Sequence, residues 1–120
     1  MHTTLEKTTN RKIILAKAVL SAAERLGPTQ DQLALILNID SVTTLGALGL
    51  DPTSKQGELA LSLIRITMSL DALTGGDIAW MQHFMRSSNK LTSGIPMEQV
   101  QTAQGLASVL QFVENLRTKL

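Results

Sequence analysis

Residues 54 to 76 constrain this chain more than any other stretch. Within them Leu59, Leu63, Ile66, Leu70 and Leu73 recur at spacings of four and three, which makes one stripe of a helix. Leu61, Ile64 and Met68 fall about 180° away from that stripe, at roughly 100° per residue. A helix apolar on two opposite sides has to be covered on both, so it lies between two layers of the fold or turns one stripe towards a second copy of the chain. Only Trp80, Phe84 and Phe112 are aromatic, and the covering interior must be built from Leu, Ile, Val, Met and Ala, a composition that favours helices. The expected class is all-α. A chain of 120 residues buries roughly two-thirds of its unfolded surface as one compact domain or two small lobes on a shared core.

Reading from the start, residues 1 to 9 are polar and threonine-rich and are expected to form a loosely held arm. A first helix follows, with Ile14, Leu15, Ala18, Val19, Ala22 and Leu26 on its buried face and Gly27-Pro28 as its stop. Thr29 suits the cap of a second helix striped by Leu33, Ala34 and Leu37, and Asp40 or Ser41 that of a short third helix ending near Gly46 or Gly49. The long helix then opens near Asp51-Pro52 or Ser54 and ends at Gly75-Gly76, which divides the chain into 10 to 74 and 75 to 120.

Asp77 favours the positive end of a fifth helix, on which Trp80 and Phe84 lie four apart and are expected as core anchors. Ser88 to Pro96 reads as an exposed turn, with Asn89 and Gly94 as the positions tolerant of positive φ and Pro96 beginning a short helix. Thr102 caps the last helix, whose apolar face is Leu106, Val109, Leu110, Val113, Leu116 and Leu120, flanked by Phe112. Gly105 stands in its first turn. A glycine there costs about 1 kcal/mol against alanine, so the close approach of another backbone is the expected reason for it.

The polar inventory argues against catalysis. His83 stands alone beside Gln82, His2 lies in the arm, and without cysteine there are neither disulfides nor thiolate zinc sites, so no metal or other cofactor is expected. Gly75-Gly76 lacks the Lys-Ser or Lys-Thr of a phosphate loop, and Glu58, Asp71, Asp77, Glu98 and Glu114 fall on polar faces, with no pairing that would shift a pKa. Nothing supplies a nucleophile held by a base and an orienting group. No apolar run approaches the roughly 20 residues of a membrane span, the first residues lead into charges, and the absence of cysteine suits a reducing cytosol, so a cytoplasmic location is expected.

The segment Thr29-Gln30-Asp31-Gln32-Leu33-Ala34, followed by Leu37, Ile39 and Thr43, is similar to the helix-turn-helix of Xre-type repressors. The resemblance implies that Gln30, Ser41, Thr43 and Thr44 are the positions that would meet DNA. Charge opposes that role. Residues 1 to 25 carry Lys7, Arg11, Lys12, Lys17 and Arg25 against Glu6 and Glu24, whereas residues 26 to 54 hold Asp31, Asp40 and Asp51 and no Lys or Arg. Phosphate contacts dominate DNA affinity, so binding to DNA is expected to be weak or lost and the motif to persist as a packing scaffold.

The C-terminal part carries a more specific likeness. Ser54-Lys55-Gln56-Gly57-Glu58-Leu59-Ala60 through Gly75-Gly76-Asp77, then Trp80, Ser88-Asn89-Lys90-Leu91, Gly94-Ile95-Pro96, Thr102 and Gly105, resembles the Xre/MbcA/ParS family of bacterial antitoxins. That resemblance implies an Xre-like helix-turn-helix joined by the long helix to a small helical toxin-binding domain. It also implies homodimerisation and a toxin partner encoded in the same operon, of RES or ADP-ribosyltransferase type, whose active site is blocked sterically. Carried over position by position, Trp80 and Pro96 would shape the domain, and Asn89, Leu91, Gly94, Leu116 and Arg117 would lie at or near the toxin surface. Arg117, Lys119 and the carboxylate end at Leu120 would reach a polar cleft. A transcriptional regulator without a toxin partner is the alternative reading.

Overall fold

Local capping chemistry divides the chain into helices. The computed structural model describes the backbone of residues 2–119 and the side chains of Thr9 to Lys119. Its helices are α1 (His2–Leu26), α2 (Gln30–Leu37), α3 (Leu45–Leu48), α4 (Lys55–Thr74), α5 (Ile78–Arg86), α6 (Pro96–Gln99) and α7 (Ala103–Lys119). The described residues contain no strand, and the only ladder element is an antiparallel bridge between Asn89 and Gly94. The class is all-α.

Four starts are held by a hydroxyl or carboxylate that accepts an otherwise orphaned backbone N–H. Thr29 and Gln32 form a reciprocal capping box at α2. Ser54 Oγ accepts from Gly57 N at 3.0 Å, Asp77 from Trp80 N at 3.2 Å, and Thr102 Oγ1 from Gly105 N at 3.0 Å. At the other ends, Asn38 and Gly75 adopt left-handed backbone that closes α2 and α4.

Helix α4 is the axis of the packing, with α7 and α1 as its principal neighbours. Its Leu59, Leu63, Ile66 and Leu70 are buried in one cluster with Leu15, Val19 and Leu26 of α1, Ile36 and Leu37 of α2, Met81 and Met85 of α5, and Leu106, Val109 and Val113 of α7. The stripe on the other side of α4 remains partly uncovered by the described residues: Leu61 is 43% and Met68 56% exposed, with Ile64 partly buried. Ile14, expected on the buried face of α1, is 64% exposed. The core takes Leu15, Val19, Ala22 and Leu26, the stripe next to it, and leaves Ile14 beside Ala18, Ser21 and the open side of α4.

Two expectations change at the N-terminal half. The residues read as an arm continue α1, which is helical from His2. The third helix is one turn instead of a span from Ser41. Ser41 Oγ accepts from Thr43 N at 3.2 Å and pairs with Thr43 Oγ1 at 2.8 Å, a side-chain turn that competes with helix, and the β-branched run Val42-Thr43-Thr44 adds little helix propensity. Leu45 then docks into the core, and Leu50 N donates to Lys12 O at 2.9 Å, tying the segment to α1.

Side chains from α4 and α5 hold the end of α1. Arg25 pairs with Asp71 of α4, Gln82 Nε2 donates to Arg25 O at 3.4 Å, and Arg86 donates to Gly27 O. Orphan carbonyls at the α1 terminus therefore find donors on α5.

Candidate functional site

The C-terminal turns of α7 run between two unlike depressions. On one side, α5 packs on α1, α4 and α6 with Met81 and Met85 fully buried, and reaches α7 through Phe84, whose ring stacks on Phe112 at 6.3 Å with the planes 3° apart. One turn before Phe84, Trp80 points outward. It is 59% exposed, and its indole walls an apolar groove of about 400 Å³ formed with Leu70, Leu73 and Thr74 of α4, Phe84, and Val113 and Leu116 of α7. His83 meets the indole edge-on at 5.6 Å. Trp80 is thus not the core anchor expected from its spacing to Phe84. The stripes 80/84 and 81/85 are adjacent on a helix, and the interior selected the methionines, which adapt to irregular gaps.

The other depression is polar. Ser69, Glu114, Asn115, Arg117 and Thr118 line a cleft of about 470 Å³ between α4 and α7. Arg65 Nε donates to Glu114 at 3.0 Å, and Ser69 Oγ is buried without a hydrogen-bond partner among the described residues. Arg117 and Lys119 are exposed and make no ion pair with any described carboxylate, whereas Asp71 is engaged by Arg25 and Glu114 by Arg65.

The residues inferred from sequence fall into two groups. Asn89 and Gly94 exchange backbone hydrogen bonds of 2.9 and 3.2 Å, and Asn89 Oδ1 accepts from Leu91 N at 2.8 Å, leaving the Leu91 side chain 77% exposed. The positive φ of this turn belongs to Ser93, at 66°, and not to Asn89 or Gly94. A Cβ on Gly94 would lie 3.2 Å from the Gln99 side chain, whose Nε2 donates to Thr92 O and ties the turn to α6. The turn therefore sits at the N-terminal end of α7. Leu116, Arg117 and Lys119 are at the other end, roughly 18 Å along the axis for the twelve residues from Gly105 to Arg117 at 1.5 Å each. Leu120 lies outside the described residues. Trp80 was missed as a surface residue, although a lone tryptophan in an aromatic-poor chain was the available signal.

At the helix-turn-helix, Gln30 is exposed on the first turn of α2, and Ser41, Thr43 and Thr44 are exposed in the turn before α3. Leu35 and Leu48 of the same segment are also exposed, at 58% and 73%. No single helix of the described residues is long and apolar enough to cross a membrane, and no group of three or more described His, Asp or Glu residues is placed to hold a metal.

Helices α1 to α3 with a capped turn, joined through a shared central helix to a helical unit bearing an exposed aromatic groove, define a helix-turn-helix protein with an attached protein-binding module. Comparison with family models specifies which. The antitoxin Xre-like helix-turn-helix domain matches residues 7–65, and the antitoxin Xre/MbcA/ParS C-terminal toxin-binding domain matches residues 69–119. The chain belongs to the Xre/MbcA/ParS antitoxins. Comparison with curated proteins gave no match. The two matched segments meet inside α4, which contributes to both.

Proposed function

We propose that this antitoxin neutralises a toxin encoded beside it by seating the C-terminal end of α7 and the adjoining groove over the toxin's active site. The observation that carries the reading is Trp80, 59% exposed over an apolar groove within the segment that matches the toxin-binding domain. A soluble surface seldom leaves a tryptophan so open unless something covers it, and tryptophan and arginine dominate the energetics of protein interfaces. Inhibition is steric, and the chain supplies no chemistry of its own. The toxin is of RES or ADP-ribosyltransferase type, with a polar, NAD-consuming cleft that receives Arg117 and Lys119.

A homodimer is proposed across the open side of α1 and α4, where Ile14, Leu61 and Met68 form an apolar face around a shallow depression lined by Ala18, Ser21 and Ile64. Autorepression through DNA is weak at best, because α3 is a single turn and residues 26 to 54 carry no cation.

Co-expression with the adjacent gene product tests the reading through growth rescue and co-purification. Arg117→Glu should reduce rescue while leaving helicity and melting temperature nearly unchanged, since the side chain is exposed and makes no ion pair among the described residues. Full rescue by that variant removes Arg117 from the interface. Failure of the wild-type chain to rescue growth or to co-purify refutes the function.

A further inference from the structure

We infer that the polar cleft between α4 and α7 is a binding site for a small oxyanion, a molecule bearing a phosphate group. The site is one of the free chain, because Arg117 cannot serve this cleft and a toxin's at the same time.

Ser69 is the residue that points to a ligand. It is 1% exposed, it lines the cleft, and its hydroxyl has no hydrogen-bond partner among the described residues. A serine or threonine inside a helix can return its hydroxyl to the carbonyl four residues back. Thr67 and Thr74 of the same helix do so, to Leu63 O at 3.0 Å and to Leu70 O at 2.8 Å. Ser69 does not. A buried hydroxyl left unanswered is destabilising, and native proteins as a rule match such groups with a partner.

Helical register brings further donors to the same place. Arg65 and Ser69 stand one turn apart on α4, and Glu114, Arg117 and Thr118 share a face of α7 at spacings of three and four. Arg65 donates to both oxygens of Glu114, at 3.0 and 2.5 Å, so the carboxylate that lines the cleft is neutralised by a bidentate pair. The Thr118 hydroxyl donates to Glu114 O at 2.9 Å. Arg117 makes no ion pair among the described residues, and Asn115 adds its amide. The net charge of Arg65, Glu114 and Arg117 is positive, and the groups left to meet a ligand are donors. That set suits an oxyanion, which a guanidinium binds through two parallel N–H groups, and opposes an amine or a metal ion. The volume of about 470 Å³ falls within the roughly 300–1,000 Å³ of small-molecule sites, which leaves room for the body that carries the anion.

The test needs only the full chain, with inorganic phosphate as the probe against chloride at constant ionic strength. Amide resonances of Ser69 and of residues 114 to 118 should shift saturably, with half-saturation below about 10 mM. Ser69→Ala and Arg117→Gln should each weaken binding by about 10-fold or more, as expected for a lost hydrogen bond to a charged group. Lys90→Gln, an exposed cation at the other end of α7, should leave affinity within about 2-fold. In phosphate-free buffer Ser69→Ala should melt at or above wild type, because its hydroxyl has no partner to lose, and phosphate should raise the melting temperature of wild type more than that of the variant.

A Ser69→Ala protein that melts well below wild type shows that the hydroxyl already has a partner within the chain, and overturns the proposal. Shifts that never saturate, or that spread over Arg11 and Lys17 as much as over the cleft, reduce the effect to general attraction of anions and overturn it too. So does undiminished affinity in either Ser69→Ala or Arg117→Gln.

Discussion

Gly105 offers a test in which two well-known effects have opposite signs. Alanine is favoured over glycine inside a helix by about 1 kcal/mol, so Gly105→Ala in the first turn of α7 should stabilise if propensity were all that mattered. The structure says otherwise: a Cβ at this position would lie 1.9 Å from the carbonyl oxygen of Gln99 and 2.7 Å from its carbon. Real contacts of this kind do not fall below 3.0 Å, so the turn after α6 and the start of α7 must separate by about 1 Å or more. The obstacle is backbone, which cannot swing aside as a side chain would. Forced expansion of a packed region costs about 1–3 kcal/mol, and a backbone clash belongs at the upper end. The net expectation is a loss of about 2 kcal/mol, or roughly 8 °C in melting temperature for a chain of this length.

Gly46→Ala is the matched control. It lies in α3 with nothing within 4 Å of its Cβ position, and alanine there should raise the melting temperature by a few degrees at most. Thermal unfolding followed by circular dichroism, with both variants beside wild type, separates the cases. A Gly105→Ala protein that melts at or above wild type would show that close approach of the Gln99 carbonyl is not what requires glycine.

Two further outcomes follow from the helix-turn-helix half. Hydrogen bonds from the Thr53 hydroxyl and backbone N–H, with a smaller contribution from the Lys12 charge, hold the Asp51 carboxyl below its usual pKa. A lowered native pKa stabilises above the unfolded value and is lost as pH falls through the native one, so the difference in melting temperature between wild type and Asp51→Asn should be constant near neutrality and shrink below about pH 4. A gap that stays level to pH 2 would refute this coupling. Separately, gel shifts with the chain's own promoter should give weak binding by the protein alone that disappears with modest salt, and tight binding at physiological salt would contradict the reading of α3.

What the sequence revealed and concealed divides along physical lines. Thr29, Ser54, Asp77 and Thr102 were legible as starts because each cap is a local event, a side chain reaching a backbone N–H two or three residues on. The reason for Gly105 was legible because a glycine in a helix has a cost that something must offset. By contrast, which of two adjacent stripes faces inward depends on what the other helices present. Ile14 against Leu15, and Trp80 against Met81, differ by one residue, and each pair offers a plausible apolar face. In both cases the core took the second residue and left the first on the surface. The shortening of α3 was hidden differently, because Asp40 and Ser41 both suit a cap while the Ser41 hydroxyl forms a tight turn with Thr43 instead. For the candidate site, the sequence did not show how its residues are spread: Asn89, Leu91 and Gly94 lie towards one end of α7, and Leu116 and Arg117 at the other.

The same geometry gives the helix-turn-helix a structural role beside a third helix of only four residues. The toxin-binding segment begins at residue 69, within α4, so its first turns of helix are continuous with Leu59, Leu63 and Ile66, whose side chains pack into the same cluster as Met81, Met85 and Val113. Gln82 and Arg86 of α5 spend their donors on the carbonyls of Arg25 and Gly27 at the end of α1. Trp80 stands on that same nine-residue helix, which is too short to hold its shape alone in water. The orientation of the groove wall is therefore set from behind by α1, through α5, and if the groove meets the toxin as proposed, the N-terminal helices support that recognition whether or not they touch DNA.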